Sequence, residues 1–427
     1  MDMKKQTKKI VWERSKYQMF ESFANELQEF TKNGTVPAHA DQDAQYCLEL
    51  QQKRLKEKNL ELEYVITPRG LFAEGGGIHK TWSDDRYASR MEYRTCRLER
   101  TFCRGGKPVF RESRNMIFYQ TMTEAWDSQA VSEDLYACPN CGAIRPIGVL
   151  QKGCPYCGTH FEMSDLFPRV TSFYFIEDFG KTQKELKRSI WKTLIPVMLL
   201  AMVCFTCFFY QDPEVGGQWL PSILRGFFAG ILGGAVFGYP IWAFRQLGAM
   251  VKNAGKAVPM LMNTAGSGKR FVTKMQKYSP EFSYEYFSGK VVSLLKMVLF
   301  SKDAQSRPIY AGGPSDDRFA DLVDSSYTGA AALKNFRVHN GQCEVTVDVY
   351  LENIYAKEKR VFSKDEKIRV HLRRDVSRPL DLRFSVKQIR CRQCGGSFDA
   401  VKQRNCPHCG CEYQLSGEDW EIVGIEG

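Results

Sequence analysis

Two long apolar runs near the middle of the chain stand out from the pattern of hydrophobic and polar positions. Residues 194–210 hold no charged side chain, and residues 222–244 hold one, Arg225. A helix of roughly 20 apolar residues crosses a bilayer core of about 30 Å, so each run is long enough to span a membrane. The link between them is 11 residues long, which returns the second helix beside the first. The pattern predicts a transmembrane hairpin over residues 191–247.

On either side of the hairpin the pattern is that of a folded soluble protein. Apolar residues at helical spacing are followed by alternating apolar and polar residues in both parts of the chain. Helices are predicted over residues 11–33, 40–59, 283–300 and 316–333, and strands over 60–67, 86–102, 108–122, 169–179, 343–355, 366–374 and 419–426. Gly105 and Gly106 stand between two of these strands and predict a tight hairpin turn. We expect an α+β fold in each part.

Eight of the 15 cysteines fall into four Cys-x-x-Cys pairs, two pairs in each part of the chain. Two such pairs match tetrahedral zinc, because each short turn places two sulfur atoms on one side of the ion. A site with four protein thiolates leaves no open position for substrate, which makes it structural. The predicted ligands are Cys138, Cys141, Cys154 and Cys157 in the first site and Cys391, Cys394, Cys406 and Cys409 in the second. We predict two structural Zn²⁺ ions.

Other residues of metal-binding type lie near these pairs. His160, His408 and Cys411 stand beside complete sets of four thiolates, so we interpret them as bystanders. Cys204 and Cys207 also have Cys-x-x-Cys spacing, but they lie within the first apolar run. We expect them to be small buried side chains of a membrane helix.

The two cysteine-rich segments are similar to each other. Each opens with Cys-x-x-Cys-Gly and closes with Cys-Pro-x-Cys-Gly, and Phe161 and Tyr413 fall at equivalent positions after the closing pair. We infer an internal duplication around the hairpin, with independent acquisition of two zinc ribbons as the alternative. The predicted parts are a domain at residues 1–190 with a ribbon at 136–161, the hairpin, a basic juxtamembrane linker at 248–280, and a domain at 281–427 with a ribbon at 389–413.

Residues 281–427 resemble a known domain. Their order of helices, strand pair, basic strand IRVHLRR and closing DWEIVGI is similar to the C-terminal domain of the mitochondrial import inner-membrane translocase subunit 44 family. That domain is a cone-shaped α+β fold of the nuclear transport factor two-like class, ending in a strand with a tryptophan like Trp420. The resemblance implies two cone-like domains of helices and antiparallel sheet flanking the hairpin, and a tethering role without catalysis. The chain departs from the family by placing a zinc ribbon between the last two strands.

The charges near the hairpin predict its orientation. Lysine and arginine mark the cytoplasmic side of membrane segments. Five lie between residues 181 and 192 and three between 245 and 256, whereas residues 211–221 have none and include Asp212 and Glu214. We therefore predict a multi-pass protein of the cell membrane, with both termini and both soluble domains in the cytoplasm.

The net charge of +11 favours an anionic neighbour. Residues 245–280 carry seven basic residues and no acidic one, beside the predicted membrane segment. We expect this segment to contact anionic lipid, and we favour lipid over nucleic acid. The basic strand face of Lys367, Arg369, His371 and Arg373 is interpreted as a solvated face of a sheet, with lipid or partner contact as the alternative.

Glycines recur at every fourth position of the second apolar run. They line one face of a helix and let another helix approach closely. The face is formed by Gly226, Gly230, Gly234 and Gly238. We interpret it as the packing surface for the first membrane helix, and homo-oligomerisation through the same face is the alternative.

No enzyme motif is recognisable in the sequence. GSGKR at residues 266–270 lacks the spacing of a phosphate-binding loop, and the six scattered histidines offer no clear general base. We predict a non-enzymatic, membrane-anchored zinc-binding scaffold or adaptor that recruits an unidentified protein partner at the cytoplasmic face. The alternatives are a membrane-tethered nucleic-acid-binding regulator and a channel or transport component assembled through the glycine-rich helix.

Overall fold

The computed structural model separates the chain into two compact units. One contains Met1–Asp178 together with Asn263–Gly427, and the other is Phe179–Met262. We call residues 1–178 the first half, residues 263–427 the second half, and the contact between them the seam. The structure describes residues 2–69, 76–125, 129–178, 183–211, 218–264, 267–313, 317–358, 360–378, 388–400 and 403–427.

The first half folds as helices against an antiparallel sheet of five strands. Its helices and strands are α1 (Asp2–Asn33), α2 (Gln42–Glu57), β1 (Glu61–Pro68), β2 (Gly76–Ser83), β3 (Tyr87–Arg104), β4 (Lys107–Ala125), β5 (Leu135–Ala137), β6 (Ile144–Pro146), α3 (Ile147–Lys152), α4 (Met163–Leu166) and β7 (Arg169–Glu177). The sheet order is β1-β3-β4-β7, and β2 pairs with the first part of β3. The predicted β3–β4 hairpin is confirmed, and both glycines of its turn have positive φ, +56° and +73°.

The unit between the two halves is a pair of long helices. They are α5 (Gln183–Tyr210) and α6 (Trp219–Thr264). Leu186–Tyr210 and Trp219–Gly248 are long and apolar enough to cross a membrane. Both helices extend beyond the apolar runs that predicted them.

Helices α5 and α6 pack closely because the glycine face of α6 lies against α5. A β-carbon on Gly230 would lie 2.5 Å from the Cα atom of Met202, and one on Gly234 would lie 2.5 Å from the Cα atom of Met198. These distances are too short for any side chain. The glycine face therefore packs within the chain, and assembly of several chains through it stays a prediction.

The second half repeats the plan of the first, with helices, a long antiparallel sheet and a cysteine-rich insert. Its elements are α7 (Ser267–Met275), α8 (Tyr284–Phe300), β8 (Leu322–His339), β9 (Gln342–Lys357), β10 (Arg360–Asp375), β11 (Gln388–Arg390), β12 (Ser397–Asp399) and β13 (Glu421–Glu426). The sheet order is β13-β10-β9-β8. In both sheets the insert precedes the last strand, and that strand pairs at the edge, as a duplication predicts.

The structure corrects two expectations for the second half. The helix predicted over residues 316–333 is wrong, because Leu322 onward forms strand β8, which pairs with β9 and buries Val323 and Tyr327. Part of the predicted basic linker is also folded. Helix α7 buries Phe271 and Met275 completely in the core, so residues 267–275 belong to the second half.

The two halves share their hydrophobic cores. The cluster around α8 and β8–β10 includes Tyr46 and Tyr174 from the first half. The cluster around α1 and β3–β4 includes Val323 and Ile354 from the second. Across the seam, the rings of Tyr174 and Tyr327 meet edge-on with centroids 5.1 Å apart. The halves that the sequence presents as separate domains therefore form one folded unit.

Buried charges also cross the seam. Arg100 on β3 is 1% exposed and donates from Nη1 to Asp324 Oδ2 at 3.1 Å and from Nη2 to Glu352 Oε2 at 2.9 Å. Arg114 on β4 reaches the other oxygen of Glu352 at 2.7 Å. A second group joins Lys290 to Asp43 at 3.2 Å and to Asp419 at 3.0 Å. Buried charges need such partners, so each half depends on the other to satisfy its own polar groups.

Candidate metal centres

The four Cys-x-x-Cys turns share one backbone geometry. In each turn the glycine directly after the second cysteine takes a positive φ between +71° and +74°, which L side chains rarely adopt. Its N–H donates to the carbonyl of the first cysteine of the pair at 2.8–2.9 Å. These glycines are Gly142, Gly158, Gly395 and Gly410. The Cys-x-x-Cys-Gly pattern is thus the sequence that this turn requires.

The turns bring the predicted ligands together in two groups. All four sulfur atoms within each group lie within 4.8 Å of one another. Cys138 Sγ lies 3.6 Å from Cys157 Sγ, and Cys391 Sγ lies 3.6 Å from Cys409 Sγ. Zn–S bonds of about 2.3 Å in a tetrahedron separate the sulfurs by about 3.8 Å, whereas a disulfide is about 2.05 Å long. Each group fits a tetrahedral metal ion.

Hydrogen bonds lower the pKa of one thiol in each group to about 6, while other thiols of the same groups have raised pKa values. The hydroxyl and the backbone N–H of Thr159 lower the pKa of Cys157 to about 6. The backbone N–H of Cys394 is the main cause that lowers the pKa of Cys391 to about 6. Because metals bind the deprotonated sulfur, Cys157 and Cys391 are the thiols most readily available to a cation.

An aromatic residue after the last ligand fixes each insert to the rest of its half. Phe161 is 8% exposed and packs with Leu150 and Phe167 under the first group. Tyr413 is 6% exposed, and its hydroxyl donates to Glu418 Oε2 at 2.9 Å. Phe161 and Tyr413, which the sequence places at equivalent positions, are both buried.

The remaining candidate ligands lie outside the two groups. Among the described residues, His160, His408 and Cys411 belong to neither set of four sulfurs, and the Cys411 thiol donates to the carbonyl of Glu412 at 3.6 Å. Cys204 and Cys207 are exposed on α5, so the expectation that they are buried is wrong. Helix packing explains this correction, because the face of α5 that meets α6 carries Met198 and Met202 instead.

The basic face of β10 is largely neutralised within the second half. Arg369 Nε donates to Asp348 Oδ1 at 2.8 Å, and Arg373 Nη2 donates to Glu421 Oε2 at 2.9 Å. His371 Nε2 lies 3.2 Å from Glu426 Oε1. A strand whose cations already bind carboxylates of its own sheet presents little free positive charge.

The polar residues of the seam were missed by sequence reasoning. Arg100, Asp324 and Glu352 stand in strands whose charged positions look solvent-facing, and nothing local in the sequence marks them as buried. Only a pairing between positions more than 220 residues apart distinguishes them.

Comparison with known proteins assigns no family. No known family matches the chain, and neither a curated protein nor a solved structure matches it. The class that the fold and the sites define is an α+β protein with two four-cysteine groups and two candidate membrane helices. The resemblance to the translocase-subunit domain stays an expectation.

Proposed function

We propose that the protein is a membrane-anchored zinc-binding scaffold that recruits protein partners at the cytoplasmic face of the membrane. The observation that carries the proposal is a pair of closed four-cysteine groups within one unit whose halves are joined by a candidate membrane hairpin. Zinc held by four thiolates keeps no position for a substrate, so each ion stiffens a ribbon.

The shared core supports a common side for both halves. Residues 1–178 and 263–427 fold as one unit, which supports a position of both on one side of the membrane. The basic residues that flank both apolar runs, and their absence from residues 211–221, favour the cytoplasm for that side. A reducing compartment also keeps the eight thiols available to zinc.

Anionic lipid is the second partner that we propose. Helix α7 buries Phe271 and Met275 while Lys269, Arg270 and Lys274 stay exposed, so its basic side faces solvent. Each basic side chain near an anionic surface contributes about 1 kcal/mol. Residues 249–264 are the last part of α6, which precedes α7, and they carry two more lysines.

The tip of the first ribbon is the surface that we propose for a protein partner. Tyr156 is 67% exposed, and the guanidinium of Arg145 stacks 4.6 Å from its ring centroid. Tyrosine and arginine are the residue types enriched at the centres of protein interfaces. The paired charges of β10 favour this protein-binding role over nucleic-acid binding.

Site-specific cross-linking in cells tests the scaffold. A photoreactive side chain at position 156 of the full chain is expected to capture a defined protein, whereas the same group at Arg111, whose side chain is 68% exposed on the β3–β4 hairpin, captures none. Identification of the adduct by mass spectrometry names the partner. Capture of nucleic acid, or equal capture at both positions, would contradict the proposal.

A further inference from the structure

A small cavity lies inside the seam. It has a volume of about 40 Å³ and is lined by α2, α8, β7, the start of β8 and Tyr64 of β1. A single water needs roughly 10–15 Å³ measured in this way, so the cavity holds more than one water or one small ion. Its lining is partly apolar, with Phe173 and Val292, and partly polar, with Ser172, Ser293 and the Asp324 carboxylate.

Lys296 is the ionisable group of this cavity that lacks a partner. Among the described residues, none forms a hydrogen bond or an ion pair with its ammonium, whose contact is the Phe173 ring at 5.8 Å from the centroid. The nearby carboxylate of Asp324 is already occupied. It accepts from Gln51, Tyr64, Arg100 and the backbone N–H of Ser325, at 2.8–3.1 Å.

The Lys296 ammonium therefore lines the cavity without a carboxylate partner of its own. The charge of Asp324 is shared with Arg100, which is itself completely buried. Burial lowers the pKa of Lys296, as expected for an ammonium that gains no direct counterion from the protein.

We propose that the seam cavity binds a small monovalent anion, of halide or formate size, on Lys296. A volume of about 40 Å³ suits an ion of this size, and the methyl groups of Val292 and the hydroxyls of Ser172 and Ser293 line it. Because α2 belongs to the first half and α8 to the second, a bound anion stabilises the seam.

Thermal unfolding of the detergent-purified full chain tests this site. Chloride is compared with gluconate at equal ionic strength, in the wild type, in Lys296→Met and in Lys302→Met. Lys302 is a matched control because its side chain is 68% exposed, two residues beyond the end of the same helix, and its ammonium pairs with Glu57. The Tm of the wild type and of Lys302→Met is expected to rise with the logarithm of chloride concentration, and that of Lys296→Met is not.

Bromide provides a second measurement that does not depend on stability. Anomalous diffraction from crystals grown in bromide is expected to show one ion beside Lys296 in the wild type and none in Lys296→Met. An equal chloride response in all three proteins, or a cavity that contains only water in bromide, would overturn the proposal. Neither result depends on recruitment of a partner, so the scaffold proposal is tested separately.

Discussion

Removal of Arg100 is the sharpest test of the shared fold. Its guanidinium joins β3 of the first half to Asp324, Ser326 and Glu352 of the second, and it is 1% exposed. Methionine keeps most of the apolar stem of arginine and removes the charge. Arg100→Met therefore removes the cation that the buried carboxylates of Asp324 and Glu352 share, and leaves Glu352 with Arg114 alone.

The expected cost follows from that burial. Breaking a buried ion pair by removing one partner typically costs about 3–5 kcal/mol, because the remaining charge is left uncompensated. The matched control is Arg111→Met on the neighbouring strand. Its side chain is 68% exposed and binds Glu99 at 3.0 Å, and an exposed pair contributes only about 0.2–1 kcal/mol.

Amide hydrogen exchange of the purified full chain measures where the stability is lost. Arg100 lies in β3, but we expect protection to fall on the order of 10²–10⁴-fold in β8 and β9 as well, since each 1.4 kcal/mol is a factor of ten. Arg111→Met should leave both strands protected. Loss confined to the first half, with β8 and β9 unchanged, would refute a common folded unit.

Three further changes test the metal groups, the hairpin and the seam at low pH. The wild type should contain two zinc ions per chain by elemental analysis, and Cys138→Ser should contain one. Gly230→Leu should separate α5 from α6, because its β-carbon would lie 2.5 Å from the backbone of Met202, and cysteine cross-linking between the helices reports that loss. Burial raises the pKa of Glu352, but Arg100 and Arg114 outweigh it and hold the pKa below 4.5. The stability from this group is therefore present above about pH 4.5 and lost as pH falls, and the difference between wild type and Arg100→Met in urea unfolding should shrink there.

Each of these measurements has a control in the same chain. Cys411→Ser, beside the second metal group, should keep both zinc ions; a loss of zinc would make it a ligand. Gly248→Leu lies on the same helix with nothing within 4 Å of a β-carbon, so cross-linking should persist. Arg111→Met should change the free energy of unfolding by no more than about 1 kcal/mol at any pH. A difference between wild type and Arg100→Met that grows in acid would reverse the sign of the argument.

Local patterns predicted those parts of the fold that depend on neighbouring residues. The four-cysteine groups follow from turns of five residues, and the β3–β4 hairpin follows from Gly105 and Gly106 between alternating segments. The glycine face of α6 and its packing against α5 follow from four-residue spacing and a short link. In each case the residues that interact are close in sequence or are tethered by a short connection.

The errors and omissions arise where contacts between residues far apart in sequence determine the structure. Ala330, Ala331 and Ala332 favour a helix by themselves, yet pairing of β8 with β9 buries them in a sheet. Strand β2 was missed because its side chains are mostly exposed and lack an apolar alternation. The seam could not be predicted, because Arg100 and Asp324 acquire their roles only when the two halves meet.

The seam also determines the order in which the protein can be completed during synthesis. At roughly 5–20 residues per second, the ribosome spends several seconds on residues 179–262 after the first half has emerged. During that interval Asp43, Arg100 and the α2 face around Tyr46 lack the second-half groups that cover them. The first half can be completed only after residues 263–427 have been made, so folding of this unit waits until both long helices have been synthesised.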